Sequence, residues 1–248
     1  MRATILGILL LLGTAPPARA EMVVDVELVL AVDVSGSIDM EEARQQREGY
    51  IAAIRDAEVL AALERTFTGR IAVAYVEWAG AGQQRLLVPW MLVEGRPSAE
   101  AFASALAEQP LARGRWTSIS GAIDFAATLF DGNGYAGERL VIDVSGDGAN
   151  NSGRAVADAR DAAVDAGIVI NGLPILNDRP QPFGMPTPME LNLDRYYREQ
   201  VVGGPGAFLI TALDFEDFRR AILNKLVREI AGRPAQRGAA PDHAFLTP

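Results

Sequence analysis

With 248 residues, 49% of them hydrophobic, the chain can bury one sizeable core and reads most simply as a single domain. A formal charge of −9 with no clustered basic run excludes a phosphate-gripping surface for nucleic acid. The lack of cysteine excludes disulfides and a thiol for lipid attachment, so stability in an oxidising compartment must come from packing and bound ions.

The first element in chain order is an export signal. Arg2 precedes the apolar run Ile5 to Leu12, and a Pro-containing stretch ends in Ala18-Arg19-Ala20, small residues that suit a signal peptidase. A bilayer-spanning helix needs roughly 20 apolar residues; this run is far shorter, and Pro16-Pro17 follows closely, which favours cleavage near Ala20 over an uncleaved anchor. Residues 1–20 are thus expected to be a signal peptide, 21–232 an α/β domain and 233–248 a disordered tail whose Pro, Gly and Ala offer little to bury. Loss of Arg2 and Arg19 moves the formal charge from −9 to −11. The mature protein is expected in a bacterial periplasm or outside the cell, with no stable membrane insertion.

From Val23 onward, apolar β-rich runs alternate with amphipathic helical stretches. The first strand is predicted over Val23 to Val34, and its continuous apolar half, Leu28 to Val32, implies a central strand covered on both faces. Asp39 can cap the helix that follows, with Glu42 as the reciprocal partner and Met40, Ala43, Tyr50 and Ile54 as an inward stripe. Arg70 to Trp78 and Arg85 to Val93 read as strands joined by a short Gly-rich link, hence antiparallel. Helices are predicted over Ser98 to Glu108 and Ser118 to Phe130. Arg139 to Val144 reads as a second, fully apolar central strand ending in Ser145-Gly146-Asp147-Gly148. A helix from Arg154 to Ala166, a strand from Ile168 to Leu173, a further strand near Ala207 to Ile210 and a helix from Phe215 to Ile230 complete the series. In that last helix Phe218, Ile222, Leu226 and Ile230 form the packing stripe. Residues Asn177 to Pro188 hold four prolines and read as a loop at the ligand-bearing edge of the sheet. The fold class is α/β: a doubly wound, mostly parallel central sheet with one antiparallel edge strand and helices on both faces.

Chemistry gathers where the first strand runs out. In extended chain, side chains two apart point the same way, so Asp33, Ser35 and Ser37 can converge, while Gly36 lets the backbone turn around what they hold. An oxygen-only cluster suits a hard cation, and Mg²⁺ prefers six oxygens with one or two carboxylates.

Asp33-Val34-Ser35-Gly36-Ser37, followed by Thr117 at a helix start and Asp147-Gly148 after an apolar strand, resembles the metal-ion-dependent adhesion site of von Willebrand factor A domains. The resemblance runs from Val23 to Ile230. Within that family the chain looks like secreted bacterial A-domain proteins of unknown function, and the stretch Tyr196 to Gly206 looks typical of them. The resemblance implies a metal set of Asp33, Ser35, Ser37, Thr117 and Asp147. Ser35 and Ser37 would ligate the ion directly, Thr117 directly or through water, and Asp33 and Asp147 mostly through waters. It implies Mg²⁺, with Mn²⁺ or Ca²⁺ as alternatives, and a protein partner that supplies an Asp or Glu to the open coordination position. It also implies that the last helix can slide when the partner binds. A purely structural ion is the competing reading.

An enzyme is not expected. A phosphatase using Asp33 as nucleophile would carry a second acidic residue where Ser35 stands, and a serine hydrolase has only His243, in the tail, as a base. No Rossmann or P-loop glycine spacing follows a strand, and the His and Cys ligands of zinc are missing. Glu77 and Trp78, ending the neighbouring strand, are candidates for the partner-binding rim. So are Arg115 and Trp116, which with Arg113 precede Thr117 and can draw in an acidic segment.

Overall fold

A computed structural model of the protein describes residues 20–176, 192–214 and 217–232. Residues 1–19, 177–191, 215–216 and 233–248 lie outside the described residues, and with them most of the expected signal peptide, the expected proline-rich loop and the expected tail. In chain order the elements are β1 (Met22–Asp33), α1 (Met40–Ile54), α2 (Ala57–Glu64), β2 (Ile71–Trp78), β3 (Gln84–Val93) and α3 (Arg96–Ala107). They continue with α4 (Ile119–Thr128), β4 (Tyr135–Gly146), α5 (Val156–Asp165), β5 (Ile168–Pro174), the short α6 (Leu193–Tyr196) and α7 (Phe218–Ala231).

The sheet order is β3-β2-β1-β4-β5. β1 pairs parallel with β2 on one side and with β4 on the other, β4 pairs parallel with β5, and β3 runs antiparallel at the edge. Alternate residues of β1 feed opposite faces, as the period of a strand requires. Leu28, Leu30 and Val32 enter a core built with α1, α2, α3 and α7, whereas Val29 and Ala31 enter one built with α4 and α5. Both faces are covered, which is why β1 needs its continuous apolar run. Chain direction from β1 diverges to β2 on one side and β4 on the other, so their carboxyl-end loops part there and leave a crevice.

Local chemistry sets the helix starts. The Asp39 carboxylate accepts from Glu41 N and Glu42 N at 2.8 and 2.9 Å, and Glu42 Oε2 accepts from Asp39 N at 2.8 Å, completing the capping box at α1. Ser118 Oγ accepts from Gly121 N at 3.1 Å and caps α4.

Some elements differ from the sequence reading. Met40 lies 44% exposed at the first position of α1 and does not join the inward stripe. Residues 207–212 form no strand: they run beside β5 through isolated bridges, Gly172 with Leu209 and Ile175 with Ala212. The strand before Asp147 is longer than expected and not fully apolar. Asp143 sits within it, fully buried, 2.5 Å from Lys225 Nζ of α7. Lys225, also fully buried, lies 2.5 Å from Glu229 Oε1 as well, and Asn171 Nδ2 of β5 donates to that same oxygen at 3.1 Å. The final helix thus packs with a buried charged cluster beside its apolar stripe.

Candidate metal centre

Asp33 is the last residue of β1 and is fully buried. Its Oδ1 accepts from Ser35 N at 2.7 Å, which bends the chain directly after the strand, and Gln46 Nε2 of α1 donates to its carbonyl at 3.3 Å. Ser35 Oγ and Ser37 Oγ stand 3.2 Å apart, and Ser37 Oγ donates to Asp147 Oδ1 at 2.6 Å. Loops separated by 110 residues in sequence therefore meet side chain to side chain. Thr117 lies against the residue after Asp147: a Cβ on Gly148 would stand 3.8 Å from Thr117 Oγ1. Its amide donates to Asn151 Oδ1 at 2.8 Å, and its carbonyl accepts from Asn151 N at 2.8 Å and Ser152 N at 3.1 Å. Asp33, Ser35, Ser37, Thr117 and Asp147 are thus brought to one place, at the carboxyl edge between β1 and β4.

The glycine that makes room is Gly146. A Cβ there would stand 2.8 Å from both Asp33 Oδ2 and the Tyr197 hydroxyl. Gly36, expected to be the tight turn, has space for a side chain, since its Cβ would meet nothing closer than Gly114 O at 3.7 Å.

Asp33 Oδ2 and the Tyr197 hydroxyl are buried without a hydrogen-bond partner among the described residues. Burial, and then the neighbouring Asp147 carboxylate, holds the Asp33 carboxyl well above the usual carboxylate range, against the pull of the Ser35 N–H. Burial followed by the Asp33 and Asp147 charges likewise raises the Tyr197 hydroxyl. Two carboxylates crowded into a nearly dry edge form a site that a divalent cation would relieve. The donors are carboxylate and hydroxyl oxygens, and no group of three or more His, Cys, Asp or Glu side chains is poised for a metal among the described residues. That chemistry fits a hard, partly hydrated ion such as Mg²⁺.

Glu77 and Trp78 do not line the rim. Trp78 is fully buried in the core on the α4 side, and Glu77, 3% exposed, is ion-paired with Arg47 of α1. Both follow from β2 being covered on its two faces throughout, so that even its last residues point into packing. Arg115 and Trp116 do stand at the surface, Trp116 at 62% exposure. Sequence reasoning missed Tyr197, Gln46 and Asn151 as supports of the site. Tyr197 lay in the stretch Tyr196 to Gly206 already noticed, and Asn151 in a polar pair shortly after Asp147-Gly148; neither carries a spacing that announces its role.

A mostly parallel sheet of this order with helices on both faces is a von Willebrand factor A-like fold. Solved structures agree on the fold. Proximal thread matrix protein 1 from the mussel byssus, with a zinc-occupied MIDAS motif, superposes with a TM-score of 0.61 at 14% identity, over 85% of this chain and 49% of that one. The pilus adhesin SpaC from Lactobacillus rhamnosus GG gives 0.59 at 16% identity, over 86% of this chain and 31% of its own. A von Willebrand factor type A protein from Catenulispora acidiphila gives 0.52 at 16%, over 86% and 42%. The chain therefore spans about half the length of the mussel protein and less of the others. It belongs to the family described as protein of unknown function (DUF1194), whose model matches residues 23–234. Comparison with curated proteins gave no match.

Proposed function

We propose that this protein is a divalent-cation-dependent protein-binding module of the bacterial envelope, exported by its first 20 residues. In this reading Asp33, Ser35, Ser37, Thr117 and Asp147 hold Mg²⁺, with Mn²⁺ or Ca²⁺ as alternatives, and the partner brings an Asp or Glu. The observation that carries it is the contact of Ser37 Oγ with Asp147 Oδ1 beside a buried Asp33 oxygen that has no hydrogen-bond partner among the described residues. When bound, the cation supplies an electrophilic position to which a carboxylate is drawn.

The chain's own part is to hold the oxygens together. Gly114 N donates to Val34 O at 2.7 Å and Arg113 Nη2 to Gly36 O at 2.9 Å, so the loop before Thr117 is fastened to the loop after β1 by hydrogen bonds within the chain. An ion serving only as a staple would duplicate those bonds, which favours presentation to a partner over a purely structural role. A Mg²⁺-dependent hydrolase is the weaker alternative, since Asp33 is fully buried and its Oδ1 is taken by the Ser35 amide. Among the described residues no helix is long and apolar enough to cross a membrane.

The test is calorimetric titration of the purified protein with Mg²⁺ and Mn²⁺, followed by pull-down from envelope extract in Mg²⁺ and in chelator. Saturable uptake lost in Asp33→Ala, with partners retained only when metal is present, is the expected result. Equal retention with metal, with chelator and by Asp33→Ala would remove the binding function, and absence of uptake would remove the metal.

A further inference from the structure

One large aromatic side chain stands in water at the rim of the cation site. Trp116 is 62% exposed, and its backbone sits at φ 67°, the left-handed region that residues with a Cβ avoid. It is the sole non-glycine residue at positive φ among the described residues. The conformation is imposed from both flanks. Arg115 N donates to Gln83 Oε1 at 3.2 Å on one side, and Ser118 N donates to the Ala79 carbonyl at 2.7 Å on the other. The β2–β3 turn fits beneath because residue 80 is glycine: a Cβ there would stand 2.6 Å from the Arg115 carbonyl and 3.2 Å from Trp116 Cβ. Trp78, by contrast, is wholly buried and returns its bulk as packing. For Trp116 both the backbone and the exposed ring oppose stability, so the residue points to a contact made outside the folded chain.

Charge and position say what that contact is. Arg115 is exposed beside the ring, and the exposed Arg113 reaches the metal loop at the Gly36 carbonyl. Met40, opening α1 after that loop, and Leu213, just past the Ala212–Ile175 bridge, are 44% and 61% exposed at the same edge of the sheet. Exposed apolar and basic side chains therefore share the sheet edge that carries the proposed site for a carboxylate.

We propose that Trp116 is a preformed aromatic anchor that receives an apolar side chain next to the partner's metal-seeking carboxylate, with Arg115 favouring further acidic residues in the same segment. This rests on the cation reading above and adds the partner's chemistry: an acidic segment with apolar neighbours, not an isolated carboxylate. Because the left-handed turn is already formed, the ring is offered without ordering a loop on binding.

The probe is a random dodecapeptide library on phage, panned on the purified protein in Mg²⁺ and released with EDTA. Released peptides are expected to carry Asp or Glu beside an apolar residue. As synthetic peptides they are expected to bind Trp116→Gly about 10-fold or more weakly, in the range of an aromatic hot spot. The urea midpoint of Trp116→Gly should equal or exceed that of the parent, since glycine adopts φ 67° without strain, and Trp116→Asn, which tolerates that backbone, should behave alike. Peptides that bind parent and variants equally, or a midpoint lowered in both variants, would overturn the anchor and leave the cation reading standing. If EDTA releases no peptide, the cation reading fails and the anchor falls with it.

Discussion

Replacing Lys225 with Met tests whether charge, rather than apolar packing alone, fixes α7 on the sheet. The substitution keeps most of the aliphatic volume and removes only the ammonium, which lies 2.5 Å from Asp143 Oδ1 and 2.5 Å from Glu229 Oε1 with all three side chains wholly buried. At about pH 8, above the Asp143 value of about 7, taking away one partner of the buried cluster destabilises by about 3–5 kcal/mol, because the carboxylates left behind are uncompensated or must take up a proton. Domains hold only about 5–15 kcal/mol in total, so the variant should lose a large part of its stability. With a urea slope of about 2–3 kcal/mol per molar for a domain of this size, the midpoint should fall by about 1–2.5 M at unchanged slope. The assay is urea denaturation followed by tryptophan fluorescence, run in chelator so that metal linkage does not intrude. Adding Asp143→Asn and Glu229→Gln to Lys225→Met should recover most of the loss, since a neutral cluster needs no cation. A midpoint within about 0.2 M of the parent, or a triple variant no better than the single one, would refute the reasoning.

Burial, and after it the Glu229 charge, holds the Asp143 carboxyl at about 7, above its ordinary 3.8, so the folded protein keeps a proton that the unfolded chain has released. Its contribution to stability should be fullest below about 4, fall as pH rises toward 7 and level off above, and Asp143→Asn should flatten that part of the urea-midpoint profile between pH 5 and 7.5. At the cation site, Gly146→Ala should weaken Mn²⁺ affinity about 10-fold or more by electron paramagnetic titration, as its Cβ would press on Asp33 Oδ2 and the Tyr197 hydroxyl, whereas Gly36→Ala should stay within about 3-fold.

What the sequence disclosed and what it hid follow from how each signal is written along the chain. Asp33, Ser35 and Ser37 were legible because one strand end carries them at a spacing of two, and Asp147 because it directly follows a buried strand. β1 announced itself through an apolar run that only a doubly covered strand can use. Asp143 and Lys225 were hidden because each is a single charge inside an apolar pattern, and a periodicity averages over what a buried ion pair decides. Glu77 and Trp78 were misplaced because the end of a strand was taken for the edge of the protein, while β2 stays buried to its last residue, Glu77 against Arg47 of α1 and Trp78 in the core on the α4 side. The segment 207–212 has strand-like composition but takes only isolated bridges, and nothing in its residues distinguishes that from a ladder. Gly36 sits in the recognisable motif, yet the steric demand falls on Gly146, which only the packing of Tyr197 reveals.

The lone antiparallel strand bears none of the proposed ligands, yet the turn that leads into it touches two of the three loops at the crevice. The Ala79 carbonyl takes the Ser118 amide, Gln83 takes the Arg115 amide, and Ala81 N reaches Ser152 Oγ at 3.2 Å. That hairpin is a buttress: it stiffens the mouth from outside, so changes of length or composition at this margin would retune the proposed recognition while leaving every proposed cation ligand untouched.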